Sequence, residues 1–323
     1  MREQIINLAK RFDADLVGFA PASRFDKSDS IFKVFPETKT VIGLGFRVLR
    51  GIYRGVEEGS TYYQYTTMGV ENLEETVMPM ALINVANLIE DMGYTAIPQR
   101  KNQLIMNEFE GTNPEVDHVD VMRGIEAENQ IDFLNCAVMC GLGERSMINT
   151  LLTDEFGPFI RYVFILTDAE LEETPLKEPS LCDRCGECIK ACPGKALSED
   201  GELDSWRCAV YYNGANGSKN PFMPPDAYIA LDNRLDIING CAEIDTELAE
   251  KILSHTHFYP PAKHFYRVSI CGRACDRACY IHLEEKGVLT RKFNKKFRSG
   301  EDWKLSTKQF ETLKREKEWD FSK

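Results

Sequence analysis

Residues 181–197 read LCDRCGECIKACPGKAL, with Cys182, Cys185, Cys188 and Cys192 spaced C-x2-C-x2-C-x3-C and Pro193 directly after the last. Three thiolates two residues apart lie on one curled loop and can grip three corners of a 4Fe-4S cube, while the fourth, followed by Pro, points toward a second cube. Such a run needs a partner, and Cys271, Cys275 and Cys279 in SICGRACDRACYIHLEEKG supply it. Cys208 in LDSWRCAVYYNG completes eight thiolates, the number two 4Fe-4S clusters require. Zinc usually takes two separated Cys pairs, so a tight triplet plus Cys-Pro suits it poorly.

The crossover rule for two-cluster loops assigns Cys182, Cys185, Cys188 and Cys279 to one cluster and Cys192, Cys208, Cys271 and Cys275 to the other. Cys241, in IINGCAEID, is an alternative ligand to Cys208. Cys136 and Cys140 lie four apart on an expected helix among apolar neighbours, as small buried core residues do; lining a cofactor pocket is the rival reading.

At 323 residues and 43% hydrophobic content the chain can bury a core of one large or two smaller domains. The N-terminal segment MREQIINLAKRFDADLVGFA mixes charges into an amphipathic pattern, with no apolar signal stretch and no twin-arginine run. No run of about 18 apolar residues predicts a membrane helix. Eleven cysteines without an export signal read as metal ligands and not disulfides, and oxygen-sensitive clusters fit the cytoplasm of an anaerobic or microaerobic cell. The net charge is -12, yet residues 291–323 carry +5 and the rest -17. That basic tail suits an acidic partner or RNA. The competing expectation is a solvated helix packing Phe293, Phe297, Trp303 and Phe310 onto the body.

Periodicity predicts a helix over 2–12, strands over 14–20 and 40–48, a long helix over 72–92, a strand over 94–97 that stops before Pro98, and a helix over 132–140. Residues 148–152 and 159–167 read as strands paired across the TDEFGP turn. These elements predict an α/β (α+β) domain over 1–175, a double-cluster domain over 176–290 and a basic tail over 291–323. Within the second region NGANGSKNPFMPPDAY is expected to be loop, being dense in Gly, Asn and Pro.

The order of an α/β domain, the GLG loop at 141–143, LLTDEFGPFIRYVFILTDAEL and the two cysteine runs, with DLVGFAPA near the start, resembles the epoxyqueuosine reductases and their relatives the reductive dehalogenases. The resemblance implies a nitroreductase-like α/β sandwich that holds cobalamin, fed with electrons by a ferredoxin-like domain with two 4Fe-4S clusters. Gly141 and Gly143 would then belong to the loop beside the corrin. A ferredoxin or flavodoxin would be the donor, and a tRNA base or a small organic molecule the substrate. Three departures stand out. Glu144, Arg145, Ser146 and Met147 replace the Trp, aliphatic, Gly and Lys that many members carry after GLG. No Asp-Ser-x-Pro segment, the source of the general acid, precedes the loop; Glu126, Glu128 and Asp132 are merely neighbours of that place. The last run is C-x3-C-x3-C followed by Tyr280, where the family has C-x2-C-x3-C-P.

Candidate proton donors are Asp132 and Tyr63. Asp132 begins a helix, where capping competes with acid catalysis. Tyr63 sits with Tyr62 and Tyr65 in STYYQYTTMG, which resembles the tyrosine segment of reductive dehalogenases; packing is the competing role. His255, His257 and His264, in SHTHFYPPAKHFY, read as part of an aromatic loop over the clusters in preference to a metal site. Two functions compete: a reductase passing electrons from two 4Fe-4S clusters to cobalamin or substrate, and a ferredoxin-type electron-transfer protein without corrinoid that docks a partner enzyme. A carrier alone needs only about 60–80 residues, which favours the first.

Overall fold

The computed structural model describes residues 1–58, 64–100, 105–106, 115–116, 130–217, 220, 223–255 and 269–297. The fold is mixed α/β. Its centre is a four-stranded antiparallel sheet of β1 (Leu16–Pro21), β2 (Thr40–Arg47), β3 (Ala96–Gln99) and β4 (Ile160–Thr167), in the spatial order β1-β2-β4-β3. Seven of the eight residues of β2 are buried. A strand covered on both faces loses the in-out alternation of a half-exposed one, and both faces here are covered. On one side α1 (Arg2–Arg11) and α2 (Met78–Asp91) place Ile5, Ala9, Val85 and Ile89 against Phe19, Ile42, Leu44 and Ile165. On the other, α3 (Phe133–Met139) packs Phe133, Cys136 and Ala137 against Val41, Phe164 and Leu166.

Two sequence expectations about strands are corrected here. Residues 160–167 do not pair with 151–152: β4 lies between β2 and β3, with Val163 opposite Leu44 and Ile165 opposite both Ile42 and Pro98. Leu151–Leu152 pairs instead with Glu144–Arg145, and the turn between is closed by a bridge from Thr153 to Gly157. Proximity in sequence favoured the hairpin, but burying β4 on both faces requires long-range partners. The third strand also runs through Pro98, which an edge strand tolerates because the missing N–H faces away from the ladder.

The long helix expected over 72–92 starts earlier and is not uniform. Gln64–Glu71 and Leu73–Val77 are π-helical, and only Met78–Asp91 is a regular α-helix. The wider π-turn brings Tyr65, Thr66, Glu71 and Glu74 to buried positions; such turns concentrate at functional sites.

Beyond residue 175 lie Glu187–Lys190, α4 (Ser205–Tyr212), Arg234–Ile238, α5 (Thr246–His255) and α6 (Ala274–Lys286). The described part of the Gly/Asn/Pro-rich insert is turn and loop, as expected. This region meets the α/β core through an aromatic stack: Tyr280 lies 4.3 Å from Phe159, Phe159 4.4 Å from Tyr53, and Tyr53 4.9 Å from Tyr65, ring centre to ring centre. Phe297 packs edge-on against Tyr53, Phe159 and Tyr280. Phe297 thus packs on the body as the aromatic tail pattern predicts, Phe293 lies under the Arg50 guanidinium, and Trp303 and Phe310 fall outside the described residues. The largely buried ion pair Arg277–Glu57 and the half-buried pair Arg50–Glu284 tie the same seam together.

The Tyr53 hydroxyl is fully buried and has no hydrogen-bond partner among the described residues. An unpaired buried hydroxyl contributes no stability, so Tyr53→Phe is expected to keep the stack and change unfolding free energy by less than about 1 kcal/mol. Chemical denaturation measures it, and a loss of several kcal/mol would show that the hydroxyl is bonded.

Candidate metal centre

The loop 182–193 curls because Arg184 and Gly186 both adopt left-handed backbone angles, with φ of 58° and 76°. Cys188 then enters the short helix Glu187–Lys190, which packs against α6. The thiols fall into two neighbourhoods. Cys182, Cys185 and Cys188 act electrostatically on Cys279, which lies on α6; Cys192 and Cys271 act on Cys208, and Cys271 and Cys208 act on Cys275. Both groups are half-buried or deeper except at Cys185, which is exposed.

Backbone N–H groups point at the sulfurs: Met147 to Cys182 at 3.4 Å, Ala196 to Cys192 at 3.3 Å, and Ala274 to Cys271 at 3.5 Å. Burial pushes the thiols of Cys188, Cys271, Cys275 and Cys279 up, and that of Cys208 up to about 11. Four crowded, desolvated thiols become four thiolates only with a compensating positive core, and N–H donors aimed at sulfur stabilise that charge. The donor set therefore fits two all-thiolate metal groups.

Cys241 stands apart. It is exposed, and its Sγ lies 3.5 Å from Lys195 Nζ, just beyond the Cys192 loop, and 3.6 Å from the Asn239 carbonyl. Cys136 and Cys140 are core residues on α3, with the Cys140 thiol donating to the Val41 carbonyl at 3.3 Å. One further arrangement was not legible in the sequence: Asp183, Cys185 and His282 bring one ligand atom each within 4.8 Å of one another, because α6 lies across the first cysteine loop. His282 Nε2 is 2.9 Å from Asp183, which Lys286 and then His282 hold well below the usual carboxylate range.

The GLG loop serves the chain's own packing. A side chain on Gly141, whose φ is 70°, would collide with the Pro175 carbonyl, and one on Gly143 with that of Leu152. Leu142 is buried in the core, and the Glu144 carboxylate turns inward to accept N–H bonds from Ser180 at 2.6 Å, Leu181 at 3.0 Å and Cys182 at 2.8 Å.

Of the proton-donor candidates, Asp132 caps α3 by accepting the Asn135 N–H at 2.9 Å, and Tyr63 lies outside the described residues, as do Tyr62, Glu126, Glu128, His257 and His264. His255 ends α5. Tyr65 is fully buried and accepts a bond from Arg161 at 3.0 Å, while Arg161 also pairs with Glu74 at 3.0 Å. Burial pushes the Tyr65 phenol up, opposed by Arg161, so it holds its proton at neutral pH. Thr66, beside it, accepts from the Ser269 N–H at 3.2 Å, two residues before Cys271. The second thiol group therefore lies next to the π-turn of the α/β core.

Residues 175–198 match the family model of the 4Fe-4S binding domain. The chain is 26% identical over 109 residues to epoxyqueuosine reductase of Bacillus subtilis (strain 168), covering 33% of this chain and 27% of that protein. Over that stretch the chain resembles the epoxyqueuosine reductases. It is also 35% identical over 66 residues to tetrachloroethene reductive dehalogenase of Sulfurospirillum multivorans, covering 20% and 13% of the two chains. Matches of this kind span about a quarter or less of these two relatives' length. A solved epoxyqueuosine reductase with an epoxyqueuosine-modified tRNA stem loop aligns over 89% of this chain and 82% of that one, with 14% identity and a TM-score of 0.45. Among the described residues no helix is long and apolar enough to cross a membrane.

Proposed function

We propose that this chain is an iron-sulfur reductase in which Cys182, Cys185, Cys188 and Cys279 hold an electron-entry 4Fe-4S cluster and Cys192, Cys208, Cys271 and Cys275 an electron-exit one. The observation that carries this reading is the asymmetry of the two thiol groups. The first reaches the surface at Cys185, whereas the second adjoins Tyr65, Thr66 and Val56 of the α/β core. Bound clusters would supply single electrons at low potential. The protein's own part is to expose one group to a one-electron donor such as a ferredoxin or flavodoxin, keep the other half-buried against the α/β core, and hold a protonated phenol at Tyr65 beside it. Relatives named for epoxyqueuosine and tetrachloroethene support a reducible carbon–oxygen or carbon–halogen bond as the target, with a modified tRNA base as the leading substrate.

The inward-turned Gly141–Glu144 segment favours a second reading, an electron-transfer protein without corrinoid whose α/β domain docks a partner enzyme. Anaerobic purification separates the two. The reductase reading expects about eight iron atoms per chain, broad absorption near about 400 nm, and loss of the epoxide from epoxyqueuosine-containing tRNA with reduced viologen as donor, with or without added cobalamin. Full clusters with no turnover and no cobalamin uptake would leave the carrier.

A further inference from the structure

The loop Cys271-Gly272-Arg273-Ala274-Cys275 is one residue longer than a C-x2-C spacing allows, and the structure shows how the extra residue is absorbed. Gly272 and Arg273 both turn left-handed, with φ of 53° and 51°. Gly272 has no freedom to carry a side chain, because one would strike Val56. Arg273 holds a backbone angle that L-residues disfavour, and in that position its side chain forms a fork-to-fork pair: Nε lies 2.7 Å from Asp276 Oδ2 and Nη2 3.2 Å from Oδ1.

The position of that pair is unusual for a structural one. The Asp276 side chain is only 1% exposed, and its Oδ1 lies 3.9 Å from the Cys275 Sγ. Arg273 is 38% exposed and acts electrostatically on Cys208, Cys271 and Cys275, three of the four thiols of the second group. The neighbouring Arg277 pairs with Glu57 and donates to the carbonyls of Gly272 and Cys271, and it too acts electrostatically on Cys271, whereas Arg273 reaches Cys208 and Cys275 as well. A buried carboxylate beside a sulfur that would ligate a cluster opposes the arrival of negative charge, and a guanidinium favours it, the part-exposed guanidinium being the more screened of the two.

We propose that Arg273 and Asp276 are positioning residues that set the reduction potential of the centre held by Cys192, Cys208, Cys271 and Cys275, Arg273 easing and Asp276 opposing entry of the electron. The step is a one-electron reduction of a 4Fe-4S centre from the 2+ to the 1+ state; the electron comes from a one-electron donor, and no bond is made or broken. The inference rests on the two-cluster reading above and adds that the inserted residue is an electrostatic device.

The test is an EPR-monitored redox titration of the reconstituted full chain, with reduced viologens as mediators and iron content measured on each sample. Arg273→Gln should move one midpoint to a more negative value, Asp276→Asn should move the same midpoint to a more positive one, and the double variant should return close to the parent. Arg273→Lys, which keeps the charge and loses the fork, should stay close to the parent. The other midpoint should stay fixed in the Arg273 variants and move less than the first in Asp276→Asn, because Asp276 also acts electrostatically on Cys279 of the first group. Full iron with unmoved midpoints, or both single variants shifting in the same direction, would overturn the proposal while leaving the two-cluster reading intact. A parent protein with a single centre would overturn both.

Discussion

Cys275→Ser is expected to lower iron content from about eight to about four atoms per chain and to reduce substrate turnover to background, a loss of at least about a hundredfold. Cys275 belongs to the thiol group that adjoins Tyr65 and Thr66, and its sulfur is desolvated together with those of Cys208 and Cys271. A hydroxyl is a far poorer ligand than a thiolate, so the second group loses its cluster. The first group shares no residue with it. Cys182, Cys185, Cys188 and Cys279 should still assemble a centre, accept an electron at the Cys185 surface and give an EPR signal on reduction. Cys241→Ser is the companion variant: that thiol is exposed beside Lys195, and with Cys208 as the ligand, iron content and turnover should match the parent. Unchanged iron in Cys275→Ser, or halved iron in Cys241→Ser, would redraw the ligand set.

The second large effect falls on a residue that holds no metal. Glu144→Ala should destabilise the chain by about 3–5 kcal/mol, because the carboxylate is almost fully buried and takes the N–H groups of Ser180, Leu181 and Cys182 at 2.6–3.0 Å. Each buried donor left without an acceptor costs about 1–3 kcal/mol, and the three are not additive. At the usual conversion for a chain of this size that is a fall in Tm of about 10 °C. The three donors form the segment leading into Cys182, so iron uptake by the first group should fall as well, while the second is spared. Glu144→Gln keeps the shape and one acceptor oxygen, and should lose roughly half as much. Thermal melts with iron analysis decide it; a parent-like Tm for Glu144→Ala would show that the segment is held by other means.

Glu144 also marks where sequence reading stops. In the run GLGERSM the glutamate reads only as a departure from the Trp that the family resemblance leads one to expect after GLG. Its role appears only when residues 180–182, distant along the chain, bring three unpaired N–H groups to it. Tyr65 is a similar case. Three tyrosines in STYYQYTTMG look alike as letters, and Tyr65 is distinguished by the π-turn that buries it and by Arg161, which arrives from β4. Asp132 was legible as a cap from its place before an apolar helix, and the structure shows that cap.

By itself the sequence determined the chemistry that travels with spacing: an α/β pattern from the 3.6-residue and strand-like periods, and cysteine loops whose intervals are set by the reach of a short chain segment around a cube. These are local properties, carried by residues a few positions apart. Only the tertiary structure decided that β4 pairs with β2 and β3, that α6 lies across the first cysteine loop, and that a carboxylate after GLG turns inward to hold that loop. Each depends on which buried strand edges and N–H groups find partners across more than thirty residues, and burial is a property of the assembled chain.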